Sequence, residues 1–197
     1  MSMHGKLNGQ LYRQMLASAE MIITVRWGLD WSQVELVSGG APWGDHVAVS
    51  LYLLHDPAGL RIFAPCTWLA DTGRFIENEP GGFWSNRSGT TENQLHEKFI
   101  AQTGTQSFDD LRAAVAAGAV IDSSRAGFHA RNLAIGASCD YLIAFSWANS
   151  TKEPTEGGTQ DTWRNAASHV RKVHIPMGSL AKSVSARKRK VIADDDD

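Results

Sequence analysis

Cysteine is scarce in this chain: two residues in 197, Cys66 and Cys139, far apart and with no metal-ligand spacing around them. That pattern excludes a disulfide framework, and neither a metal site nor a cofactor is expected. Both thiols read as small buried hydrophobes in a reducing, cytoplasmic compartment. Long apolar runs are missing as well, and none approaches the roughly 20 residues that a membrane span needs. The opening Met1-Ser2-Met3-His4-Gly5-Lys6 has no apolar stretch behind its charge, so no secretory leader is expected there. Nor is there an excess of positive charge. The 19 Lys and Arg face 21 Asp and Glu, for a net charge of -2. Nucleic-acid binding through bulk charge is therefore not expected.

The length and a 43% hydrophobic fraction suit one globular domain. Seven Trp and 18 Gly lean weakly toward a binding protein. The spacing predicts a domain over 1–180, with a loop and helical insertion at 67–125. A tail follows at 181–197, where Arg187-Lys188-Arg189-Lys190 precedes Asp194-Asp195-Asp196-Asp197. Opposed charge blocks without apolar spacing predict disorder in that tail.

Leu11, Met15, Ala19, Ile22 and Ile23 recur at helical spacing, which predicts an amphipathic helix over 9–25. A short apolar run at 34–38, a helix from 45 and a second strand at 60–65 form a unit suited to a parallel crossover. Residues 68–91 read as a long polar loop, with Trp68, Phe83 and Trp84 available to stack on a base or to form a satellite core. Helices follow at 92–103, 107–117, 128–138 and 159–170, with strands at 141–145 and 172–176. Ser107 is the expected N-cap of the second of these helices. The alternation predicts an α/β fold with a mostly parallel central sheet and helices on both faces.

In such sheets ligands bind beyond the carboxyl ends of the strands. Ser38-Gly39-Gly40-Ala41-Pro42-Trp43-Gly44-Asp45 leaves a strand and enters a helix. Its glycines permit a close backbone approach, and the helix start offers free N–H groups to an anion. Glu156-Gly157-Gly158-Thr159-Gln160-Asp161-Thr162 repeats the arrangement. Either stretch also reads as a plain turn with a helix cap. Arg131, next to Asn132, carries a planar fork suited to phosphate or carboxylate, or is a surface arginine with a packed stem. Glu92 and His96 lie one turn apart and read as a polar row on a solvated helix face, with Leu95 and Phe99 packed below.

Val37-Ser38-Gly39-Gly40-Ala41 with Gly44-Asp45-His46, then Phe128-His129-Ala130-Arg131-Asn132, Asp140-Tyr141-Leu142-Ile143-Ala144-Phe145 and Gly157-Gly158-Thr159, together resemble the SLOG superfamily of Rossmann-like proteins. That superfamily includes the DNA-processing protein DprA and the LOG phosphoribohydrolases. The resemblance covers about residues 34–66 and 126–177. It implies a Rossmann-like three-layer sandwich, a homo-oligomer, and a nucleotide or nucleotide-derived ligand over the two glycine loops. Ser38, Gly39, Gly40, Asp45, Asn132, Trp147, Gly157, Gly158, Thr159 and Thr162 are the implied ligand-binding positions, with Arg131 as phosphate anchor. For some relatives it implies hydrolysis of an N-glycosidic bond. Thr162 stands where the LOG enzymes carry their glutamate, which leaves Asp161 and Glu156 as the carboxylates for such chemistry. Three readings follow: a nucleotide-binding protein that senses or sequesters a signal, a nucleotide N-glycosidase, and a DprA-like nucleic-acid binder.

Overall fold

The computed structural model describes residues 7–77, 87–125, 127–147 and 152–182. The tail expected beyond Lys182, the aromatics Phe83 and Trp84, and the residues just after Trp147 lie outside them.

Helix α1 (Gly9–Met21) opens with Asn8, whose side chain accepts the N–H groups of Gln10 and Leu11. A π-helical turn, Ile22–Arg26, prolongs it. Leu11, Met15, Ala19 and Ile23 form one buried stripe, as their spacing requires. Strand β1 (Glu35–Ser38), helix α2 (Gly44–His55) and strand β2 (Gly59–Phe63) follow, and β1 pairs parallel to β2, Leu36 beside Leu60. Residues 68–91 are not one continuous loop. Strands β3 (Thr67–Leu69) and β4 (Arg74–Ile76) make an antiparallel hairpin within that stretch. Its turn is legible in Asp71-Thr72-Gly73, where Gly73 takes a positive φ.

Helices α3 (Ser88–Thr103) and α4 (Ser107–Ala116) come next, then a three-residue strand β5 (Val120–Asp122) that pairs parallel to β2. The expected N-cap Ser107 is instead the first residue of α4, fully buried, with its hydroxyl on His96. Helix α5 (Phe128–Ala137), strand β6 (Tyr141–Ser146), helix α6 (Gly157–Asn165) and strand β7 (Arg171–Pro176) complete the order. Strand β6 pairs parallel to β7 over six positions. Helix α6 begins at Gly157 rather than at 159 and stops five residues before the expected end of 170, at Asn165.

The fold is α/β, with helices around parallel strands. Those strands form two leaflets, β1-β2-β5 and β6-β7, beside the β3-β4 ribbon. A continuous core of Leu11, Met15, Val49, Leu51, Ile62, Phe99 and Leu111 fills the space between helices and the larger leaflet. Among the described residues no helix is long and apolar enough to cross a membrane.

Candidate functional site

Ser38 ends β1 and Gly39-Gly40 turn the chain away from it. Gly40 has φ +78, a left-handed conformation that favours glycine. The Ser38 hydroxyl donates to the Asp45 carbonyl at 2.9 Å and accepts the Gly40 N–H at 3.1 Å. Those two donors are thus committed within the loop, not free for a guest. Ser38 holds the loop against the start of α2 instead.

Gly39 has another role. A Cβ there would stand 2.7 Å from Asp45 Oδ2 and 2.9 Å from Arg131 Cζ. Its lack of a side chain lets the Arg131 guanidinium lie against the backbone. Arg131 is buried on α5 and donates to the Gly39 carbonyl at 3.1 Å and to Glu92 Oε1 at 3.3 Å. Asp45 Oδ2 lies 3.7 Å away, and the Asn132 carbonyl oxygen accepts from both Nε and Nη2 at 3.3 and 3.1 Å. One cation thus faces two carboxylates.

Glu92 corrects the reading of α3. It is 0% exposed, as is His96, so this row faces the interior and not solvent. Leu95, expected below the surface, is 38% exposed. Burial pushes the Glu92 carboxyl up to about 7, with Arg131 opposing the rise and Asp45 adding to it. Its second oxygen has no hydrogen-bond partner. His96 donates through Nε2 to the Gly40 carbonyl at 3.0 Å, which leaves Nδ1 to accept the Ser107 hydroxyl at 2.8 Å. Burial, with His46 nearby, holds its pKa down to about 4. A neutral, fixed imidazole thus clamps the glycine loop from below.

The second glycine loop meets the first through Asn132. A Cβ on Gly158 would stand 2.9 Å from Asn132 Nδ2, and Asn132 holds Arg131. Gly157 has φ +70 and open space where a side chain would point. Thr162 is buried and returns its hydroxyl to the Gly158 carbonyl at 3.2 Å.

A cavity of about 720 Å³ opens beside these groups. Asp45, Arg131, Asn132, Trp147, Gly158, Thr159 and Thr162 line it; Ser38, Gly39, Gly40, Glu156, Gly157 and Asp161 do not. Helices α2 and α6 both present their N-terminal turns to it through Gly44, Asp45, Gly158 and Thr159. Trp43 also lines it, at φ 65 and ψ −110, a conformation that costs a non-glycine residue roughly 1–3 kcal/mol. Edge-on contacts with Phe99 at 5.1 Å and Tyr12 at 6.3 Å hold the indole in place.

Asp161 points elsewhere. It meets His129 Nδ1 at 3.2 Å on the surface, with both side chains well exposed. Glu156 is exposed at the α6 N-cap and makes no capping side-chain bond there. The carboxylate that reaches the cavity beside Arg131 is Asp45. Its place was legible in Gly44-Asp45 at the start of the helix. Glu92 gave no comparable signal, since charged residues at helical spacing also describe a solvated face. Among the described residues, no three His, Cys, Asp or Glu are grouped to hold a metal ion.

No family model matches the chain, and no solved structure does. Among curated proteins, the chain is similar to "Uncharacterized protein R261" of Acanthamoeba polyphaga mimivirus. The two are 31% identical over 169 residues, which span 86% of this chain and 85% of the viral one.

Proposed function

The chain belongs to one family with that mimivirus protein, and we propose that it binds a nucleotide or nucleotide-derived small molecule at the rim between Asp45, Asn132 and Gly158. The observation that carries this reading is the convergence of two helix N-termini on one cavity, with Arg131 and Asn132 between them. Helix starts offer N–H groups and partial positive charge to phosphate. Trp43 and Trp147 give the same cavity aromatic surface for a base. The resemblance to SLOG proteins supports the same ligand class. A homo-oligomer and a cytoplasmic location belong to this reading as expectations.

The fork of Arg131 is engaged by the protein in the free state, so its part is to shape the rim and lend charge, with α2 and α6 supplying the donors. N-glycosidic hydrolysis finds less support, because neither Asp161 nor Glu156 lines the cavity. Nucleic-acid binding finds little in a net charge of -2.

Thermal denaturation with AMP, ADP-ribose and cyclic nucleotides tests the reading, with inorganic phosphate as control. A ligand at 100 times its Kd stabilises by about 2.7 kcal/mol, a rise of roughly 5–10 °C for a chain of this size. At least one nucleotide is expected to give such a shift, and Asn132→Ala to reduce it. A flat response across the panel overturns the reading.

A further inference from the structure

The same cavity continues past the rim, down between the two leaflets. Leu36 and Val37 of β1 line one side, and residues 141–145 of β6 line the other. Strand β1 is the last strand of its leaflet and β6 the last of its own. Two strand edges thus face one internal space without pairing to each other. An edge in the interior of an α/β fold leaves backbone donors and acceptors without a ladder, a costly arrangement unless something pairs with them. The walls beside the gap are apolar: Ala19 and Ile23 on the first helical segment, Val47 and Leu51 on α2, Ile135 on α5. Space bounded by two strand edges and apolar helix faces has the shape of a strand.

We propose that residues 1–6 of this chain seat in that gap as a strand parallel to β1 and β6, joining the two leaflets into one sheet. Chain direction supports this occupant. Helix α1 starts at the carboxyl end of the strands, where Tyr12 meets Trp43, the residue that follows the glycine turn after β1. The helical segment ends at their amino end, where the Trp27 ring stands 4.8 Å from that of Tyr141. A strand parallel to β1 therefore finishes where α1 begins, and Leu7, just ahead of α1, lines the cavity. Strand, α1 and β1 then form a parallel crossover like the one from β1 through α2 to β2. Six extended residues span about 20 Å, the length of β6. Met1 and Met3 share one face and Ser2 and His4 the other. This proposal concerns the gap below the rim and stands apart from the ligand reading.

Amide hydrogen exchange on the full chain tests it. The amides of 35–38 and 141–145 that point into the gap are expected to exchange slowly. Met3→Pro removes one donor from the strand, and exchange at both edges is expected to rise about tenfold or more while the β2–β5 amides hold their rates. Fast edge exchange in the unaltered chain overturns the proposal. So does slow exchange that Met3→Pro leaves unchanged, and so does protection that varies with protein concentration, which assigns the gap to a second copy. If Met3→Pro also loosens β2 and β5, a nitroxide on Met3→Cys decides. Broadening of the Val37 and Ile143 amides supports the seat, and sharp signals from both overturn it.

Discussion

Glu92 and Arg131 set the chemistry of the site residue by residue. Glu92 has its folded pKa raised to about 7 from an ordinary 4.5, mainly by burial. The sign follows directly: below the ordinary value both folded and unfolded chains hold the proton, and above it only the folded chain does. Stability from this group is full below about pH 4.5 and is lost as pH climbs through 7, a total of about 3 kcal/mol. Glu92→Gln is expected to flatten the pH dependence of urea denaturation between pH 5 and 8. A slope equal to that of the unaltered chain contradicts the assignment. Glu77, Asp30 and Asp122 work in the opposite sense, since their hydrogen bonds lower their pKa values, and they act at more acidic pH. Gly39 makes a second test. Its added Cβ meets Arg131 and Asp45 under 3 Å, and Arg131 is too enclosed to swing away. Gly39→Ala is expected to cost about 1–3 kcal/mol in denaturation and to weaken the nucleotide response.

Among elements, helix termini were the easiest to read and short strands the hardest. The stripe of α1 was legible because four apolar residues repeat at one helical face. The β1–α2–β2 unit was legible from an apolar run, a glycine turn and a second apolar run. The β3–β4 hairpin and β5 are three-residue strands, too short for alternation to declare them, and pairing with neighbours decides them. Helix α3 was found, but its inward face was misread. Glu92, His96 and Phe99 form one stripe at i, i+4 and i+7, and only Phe99 announces burial by its type. The end of α2 offers a prediction at this scale. Its C-cap Asp56 adopts a left-handed conformation at φ 48 and donates its N–H to the Tyr52 carbonyl. Glycine takes that conformation without a Cβ penalty. Asp56→Gly is expected to stabilise the protein by about 0.5–1 kcal/mol, read as a higher urea midpoint at unchanged slope. A lower midpoint contradicts the cap assignment.

At the scale of the molecule, the sequence revealed which elements exist and the structure revealed how they meet. Local periodicity marks a strand, but it does not say which strand lies beside it, so the division into two leaflets was not legible. The convergence of Gly39 and Gly158 was foreseeable only as two similar loops following parallel strands. Its actual link, Arg131 held by Asn132 with Asn132 against Gly158, needed three dimensions. The same holds for the exclusion of Asp161, one residue from the buried Thr162 yet on the outer side of α6 with His129. Rotation of a helix by about 100° per residue decides which neighbour turns inward.

An NMR titration of the full chain with the nucleotide that shifts its melting temperature most tests the central claim directly. Saturable shifts concentrated at the amides of Gly44, Asp45, Gly158 and Thr159 are the expected result. Saturable shifts gathered on another face, with those four amides unmoved, contradict it.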